Sequence, residues 1–160
     1  MIRNVKLTDA TDIVTIYNRY ISDTTVTFET VPLTIEQMQQ RICSIAKQFP
    51  YLVFEDNGHV LGYAYVHLWK ERAAFANTLE TTVYLAPNVK HSGIGTALMK
   101  RIIDTCQQQG FKVLIACITG ENLESIEFHK RLGFTQVSLF HNVGYKFGRW
   151  LDVIDMELQL

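Results

Sequence analysis

The stretch "APNVKHSGIGTALMKRI" (Ala86–Ile102) sets Gly93 and Gly95 just ahead of an apolar pattern of helical spacing, with the basic Lys90 at its mouth. Ile94, Leu98, Ile102 and Cys106 fall on one face of a helix predicted to run to about Gln109. A helix start gathers unpaired backbone N–H groups and the positive end of the helix dipole, so it can hold an anion. Glycine lets that anion approach where a Cβ would intrude. Lys90, His91, Ser92, Gly93, Ile94, Gly95 and Thr96 are the residues so placed. The spacing is not that of a Walker loop, which needs Lys and then Ser or Thr after its last glycine; here Gly95 is followed by Thr96 and Ala97. Nor is it the dinucleotide fingerprint, for the third glycine and an early βαβ unit are missing. Two readings remain: a short diphosphate cradle, or a turn that merely starts a core helix.

Outward from the loop, "NTLETTVYL" (Asn77–Leu85) reads as a strand that stops at Pro87. Its alternation puts Leu79, Thr81, Val83 and Leu85 on one face and Glu80, Thr82 and Tyr84 on the other. "FKVLIACI" has the continuous apolar look of a buried central strand. "ENLESIEFHKRL" is a short helix ended by Gly133. Asn122, Ser125 and His129 share one face of it, with Asn122 also readable as an N-cap. Upstream, "IRNVK" is a first strand, and Ile13, Ile16, Tyr17 and Tyr20 stripe a helix with Asp9 and Asp12 at its positive end. A second helix starts at Thr34, which forms a capping-box pattern with Gln37. Asn57-Gly58 between β-rich runs marks a type I′ hairpin, and "GRWLDVIDMELQL" closes the chain as a strand. The order β-α-α-β-β-β-α-β-α-β-β predicts an α/β (α+β) fold with a mixed sheet and helices on both faces, in a single domain over 1–160.

Composition narrows the function classes. The apolar and charged fractions, 48% and 19% of 160 residues, are those of a globular protein. A net charge of -1 leaves no basic excess for gripping nucleic acid. The longest apolar run, "VLIACI" (Val113–Ile118), is too short to cross a bilayer, and "MIRNVKLTDA" has no apolar leader. Cys43, Cys106 and Cys117 are odd in number and lie in apolar patterns, so buried, reduced thiols and a cytoplasmic location are expected. No Cys or His pair has ligand spacing, so no metal is expected.

The succession of strand "VYL", loop "KHSGIG", long helix, apolar strand and "ENLESIEFHKRLGF" resembles the acetyl-CoA-binding half of the GCN5-related N-acetyltransferases. "IYNRYISDTTVTFETVP", "LETTVYL" and "GYKFGRWLDV" resemble the phosphinothricin or methionine sulfoximine acetyltransferase branch. The likeness covers about Ile2 to Leu158. Lys90 stands where relatives usually carry Arg or Gln, which keeps charge but loses the planar fork. His129 stands where many relatives of the superfamily have a tyrosine; the phosphinothricin branch that the chain resembles tends to have histidine there too.

The resemblance implies acetyl-CoA as co-substrate and a mostly antiparallel twisted sheet, with transfer to the amine of a small amino-acid-like acceptor by direct attack. A protonated amine has no lone pair, so a base is needed, and the family match puts that role on Glu80. Backbone N–H groups near Tyr84 would serve the oxyanion, and backbone of Val83, Tyr84 and Leu85 would pair with the pantetheine arm. Asn122 and Ser125 are assigned to the CoA arm, and His129 to the sulfur as proton donor. An acceptor carboxylate calls for positive groups, and Arg72 is the nearest in sequence to Glu80. By resemblance Ala73, Ala74 and Phe75 adjoin it in the same wall, and Phe28 with Glu29 enters from the loop after the first helix. Tyr145, Lys146 and Trp150 are further candidates, with Lys146 expected to be solvated; His59, His67 and His141 carry no usable pattern. A homodimer is implied by the resemblance. Rival readings are a protein or peptide N-acetyltransferase and a non-catalytic CoA sensor.

Overall fold

Asn57 and Gly58 adopt φ of 50° and 82°, the pair of left-handed conformations that a type I′ turn requires. They join β2 (Tyr51–Asp56) to β3 (His59–Leu68), the first hairpin of an eight-stranded sheet in a computed structural model that describes all 160 residues. The remaining elements are β1 (Ile2–Asn4), α1 (Ala10–Asp23), α2 (Ile35–Ala46), β4 (Thr78–Leu85), α3 (Ile94–Gln108), β5 (Val113–Thr119), α4 (Leu123–Arg131), β6 (Thr135–Gln136), β7 (Phe140–Lys146) and β8 (Arg149–Gln159). The sheet runs β1-β2-β3-β4-β5-β8-β6, with β7 also on β8. Every pairing is antiparallel except that of β4 with β5. The expected mixed, mostly antiparallel sheet is present; the strand β6, of 2 residues, is an addition that no sequence pattern announced.

Helices cover both faces because alternate strand residues feed two apolar clusters. On one face α1 and α2 pack Ile13, Tyr17, Ile21, Met38 and Ile42 against Tyr51, Val53 and Tyr63. On the other, α3 and α4 pack Leu98, Met99, Ile102, Cys106 and Ile126 against Ala64, Val66, Leu79, Leu114, Ala116 and Met156. The capping box forms as read, with Gln37 N–H donating to Thr34 Oγ1. Asp9 and Asp12 stand at the positive end of α1 as expected, though neither side chain makes a capping hydrogen bond to that helix. Asp9 instead holds the Arg3 guanidinium at 2.8 and 2.9 Å, and Asp12 accepts the Val60 N–H. The cysteine expectation needs correcting too: only Cys106 is buried. Cys43 follows the inward Ile42 by one residue and so turns to solvent, while Cys117 lies on the sheet face opposite the buried Ala116 and Ile118.

The decisive feature is where the sheet comes apart. Parallel pairing of β4 with β5 covers only Thr78↔Val113, Leu79↔Leu114 and Glu80↔Ile115. Beyond Glu80 the strands diverge, and Thr81 Oγ1 takes the Ile115 carbonyl at 3.3 Å as the ladder ends. The segment between α1 and α2 then crosses the opening as a strap. Thr119 Oγ1 donates to Thr25 O at 2.6 Å, and Lys146 Nζ donates to Thr27 O at 2.8 Å. Phe28 lies against Gly144 of β7, where there is no Cβ to obstruct its ring.

Candidate active site

Two connected cavities occupy the split. The larger, about 360 Å³, lies between the end of β4, the glycine loop and α4, lined by Val83, Tyr84, Leu85, Lys90, His91, Gly93, Gly95, Thr96, Asn122 and Ser125. Gly93 sits at φ 83° and His91 at φ 63°, turning the chain sharply into α3. The backbone N–H groups of Gly93, Ile94, Gly95 and Thr96 take no acceptor within the protein; the first bond of this turn is Ala97 N–H to Gly93 O at 3.0 Å. These are the unsatisfied donors of a helix start, held open towards a cleft. A Cβ at Gly95 would come to 3.3 Å from Leu85 Cδ1, so the glycine also lets α3 lie close to β4.

The loop residues are not equivalent. Ile94 is buried in the core, and Ser92 Oγ is spent on the Val89 carbonyl at 2.5 Å, so neither side chain lines the cleft. Lys90 Nζ lies 3.8 Å from Glu124, and His91 Nε2 3.6 Å from the same carboxylate. Glu124, Arg131 and Tyr20, none of which the sequence reading assigned to this site, also line the cleft. Tyr20 donates to Leu85 O at 2.7 Å and fixes the end of β4.

The second cavity, about 190 Å³, is lined by Phe28, Glu80, Thr82, Val83, Tyr84, Cys117, Asn122, Ser125 and His129, and so shares Val83, Tyr84, Asn122 and Ser125 with the first. Glu80 makes no hydrogen bond; the nearest basic side-chain atom beside it is His67 Nε2 at 3.9 Å. Burial lifts the Glu80 carboxyl above the ordinary range, His67 draws it down and Asp155 lifts it again. Cys117 is exposed only towards the chamber, whose walls shield it from bulk water, and that desolvation, with Glu80 and Asp155 nearby, pushes its thiol up to about 12. It is therefore a protonated thiol at neutral pH, not a thiolate nucleophile.

His129 differs from the proton donor that the resemblance implied. Its Nδ1 lies 2.8 Å from Ser125 O, a carbonyl that can only accept, so Nδ1 carries the hydrogen. Burial among Phe128 and Phe134 lowers its basicity, against the pull of that bond. The ring is thus neutral, with Nε2 an acceptor that has no proton to give. Asn122 keeps its capping role, with Oδ1 accepting the Ser125 N–H at 3.2 Å, while its amide also faces both cavities.

The expected acceptor wall is mostly elsewhere. Arg72, Ala73, Ala74 and Phe75 line neither cavity. Their loop packs on itself, Phe75 edge-on against Trp69 and Lys70 Nζ 4.2 Å over the Trp69 ring. Glu29 points away from the chamber, held by Arg41 at 2.5 and 2.9 Å and by the Tyr17 hydroxyl. The Arg41 bonds, against some burial, keep its carboxyl below the usual range. Phe28 alone of that group reaches the chamber. Lys146, expected in solvent, is 3% exposed and fastens the strap. Tyr145 and Trp150 meet at a tilt of 51° on the exposed side of the β7–β8 hairpin, ring centroids 4.8 Å apart.

An acetyltransferase (GNAT) domain matches residues 2–154. The chain belongs to the GNAT acetyltransferases. This acetyltransferase is 36% identical to the L-methionine sulfoximine/L-methionine sulfone acetyltransferase of Pseudomonas aeruginosa, over 99% of its own length and 94% of the relative's. A phosphinothricin acetyltransferase from Sinorhizobium meliloti, solved in complex with AcCoA, superposes with a TM-score of 0.96 at 33% identity, covering 100% of this chain and 88% of that one. A ribosomal-protein-alanine N-acetyltransferase from Brucella melitensis superposes with a TM-score of 0.97 at 32% identity, covering 100% and 99%.

Proposed function

We propose that this acetyltransferase moves acetyl from acetyl-CoA to the amine of a small amino-acid-like acceptor of the phosphinothricin or methionine sulfoximine/sulfone type. One observation carries the reading: a cleft of free loop amides adjoins, through shared lining residues, a small chamber that holds a carboxylate making no hydrogen bond. The Gly93–Thr96 amides would take the diphosphate, with Lys90, His91 and Arg131 around it. Val83, Tyr84 and Leu85, on the strand edge that β5 has left, would receive the pantetheine arm, between Asn122 and Ser125. When bound, acetyl-CoA supplies a thioester carbonyl open to attack. Glu80 takes the proton that frees the amine's lone pair, directly or through one water. Attack on the carbonyl then breaks the C–S bond, and CoA leaves as a thiolate that takes up the second proton shed by the new amide nitrogen. Because Cys117 is a protonated thiol and no other cysteine lines the chamber, direct attack in a ternary complex is favoured over an acyl-enzyme. His129 is assigned to hold Ser125 and the α4 turn, not to protonate sulfur.

The likeness to the Brucella enzyme favours a second reading, acetylation of a protein N-terminus. Closure of the chamber by Phe28 against Gly144 argues for small acceptors. Thiol release measured over free amino acids, methionine sulfoximine, methionine sulfone, phosphinothricin and Ala-initiated peptides decides between them. The small amines are expected to turn over and the peptides not; turnover confined to peptides would reverse the assignment.

A homodimer in the cytoplasm completes the proposal. Val143, Tyr145, Phe147 and Trp150 leave an exposed apolar surface on the β7–β8 hairpin that a second copy would cover. Light scattering should give twice the chain mass, and Trp150→Glu should return a monomer; a wild-type monomer at micromolar concentration would refute the dimer. Free cysteines suit a reducing compartment.

A further inference from the structure

The register of β3 on β4 sets His67 directly opposite Glu80. His67 Nδ1 lies 2.8 Å from the Leu68 carbonyl. A carbonyl cannot donate, so Nδ1 carries a hydrogen, and in the neutral form of the ring the proton-accepting lone pair is the one on Nε2. That lone pair faces Glu80 Oε1 at 3.9 Å, a gap that one water or a small side-chain rotation closes. The His67 side chain is 37% exposed, while that of Glu80 is 29% exposed and faces the chamber. Glu80 meets solvent through the chamber that an acceptor would fill, whereas His67 lines neither cavity, so the half-exposed imidazole remains an outlet for the proton that Glu80 collects.

We propose that His67 is the relay and positioning residue behind Glu80: it accepts the amine's proton from Glu80 on Nε2 and passes it to solvent. The inference rests on Glu80 being the base. The proton leaves the amine for a Glu80 oxygen, moves to His67 Nε2, and departs to water. Glu80 returns as carboxylate and His67 as neutral imidazole, so each turnover leaves both groups unchanged. The imidazolium that forms in passing also stabilises the adjacent carboxylate, readying Glu80 for the next acceptor. The other titratable groups facing Glu80 are Tyr65 on β3, Cys117 on β5, Asp155 on β8 and His129 on α4. None can substitute. Tyr65 and Cys117 are weak acids already holding their protons, Asp155 repels the carboxylate, and His129 is buried.

The test compares wild type, His67→Gln and Glu80→Gln by steady-state kinetics from pH 5.5 to 9 in dilute, non-imidazole buffer, on an amine that the wild type acetylates. In His67→Gln, kcat should fall about tenfold, below the usual range for removing a direct acid or base. The KM for acetyl-CoA should hold, and the acid limb of kcat/KM should move to higher pH because Glu80 has lost the neighbour that draws its carboxyl down. Added imidazole should restore kcat in His67→Gln and leave wild type and Glu80→Gln unchanged. An unaltered kcat and acid limb in His67→Gln, alongside an inactive Glu80→Gln, would overturn the relay while leaving the base in place. A loss of kcat with neither rescue nor a shifted limb would also overturn it, in favour of a purely structural histidine. Full activity in Glu80→Gln would remove the base itself, and the relay with it.

Discussion

Replacing Glu80 by Gln should lower kcat by about 10²-fold or more while leaving acetyl-CoA affinity intact. The substitution keeps the shape of the side chain and removes only its capacity to hold a proton. Acetyl-CoA affinity should persist because the cleft that would bind it is built from loop amides and the edge of β4, and Glu80 lines the other cavity. The same variant should melt no lower than wild type at pH 8. Burial and Asp155 raise the Glu80 carboxyl above its unfolded value, with His67 only partly opposing. A carboxylate whose folded pKa is raised binds its proton more tightly in the folded state. Its contribution to stability therefore declines as pH rises from the unfolded pKa through the folded one, and stays lower above. The uncharged amide in Glu80→Gln escapes that decline. The wild-type acid limb of kcat/KM should accordingly lie above the ordinary glutamate value of about 4.3. Calorimetry of acetyl-CoA binding, thermal melts and a pH–rate series together read this prediction. Retained turnover would exclude Glu80 from proton transfer, and a collapsed melting temperature would make its role structural.

Gly144→Ala should be the most damaging single methyl group in this acetyltransferase. Gly144 lies in β7 with ordinary strand geometry, so the glycine is required for space and not for a left-handed turn. A Cβ there would overlap the Cδ1 and Cε1 atoms of the Phe28 ring. The ring must move, and the strap with it, against the Lys146 bond to Thr27 O and the Thr119 bond to Thr25 O. Overpacking of this kind costs about 2 kcal/mol, or roughly 6 °C in melting temperature for a chain of this size. Because Phe28 lines the chamber, kcat/KM for the amine should fall with stability while the KM for acetyl-CoA changes little. Phe28→Ala in the Gly144→Ala background should recover part of the lost stability, a non-additivity that identifies the ring as the obstacle. A Gly144→Ala protein with wild-type melting and acceptor kinetics would show that the strap accommodates the methyl group freely.

Much of the molecule is legible in its sequence because it follows from local rules. Asn57-Gly58 demanded its hairpin, Thr34 and Gln37 their capping box, and the spacing Ile94, Leu98, Ile102, Cys106 its buried helix face. The glycine loop was legible for the same reason: unpaired amides at a helix start are a property of the chain's own geometry. What misled were inferences from nearness in sequence. Arg72 lies close to Glu80 along the chain but on a loop that folds against Trp69, outside both cavities. Lys146 looked like an ordinary solvated lysine, and only its place beside Gly144, two residues away on the inward side of β7, puts its ammonium group under the strap.

The sequence alone determined the order of the elements apart from β6, and the family, and it singled out Glu80 as the candidate base, because periodicity, turn chemistry and motif are written in neighbouring residues. Tertiary structure alone decided where β4 and β5 part, which strap covers the gap, which tautomers His67 and His129 adopt, and that His67 stands across from Glu80. Strand register and hydrogen-bond partners join residues far apart in the chain, and burial sets proton affinities through everything packed around a group. Neither is encoded in any single stretch.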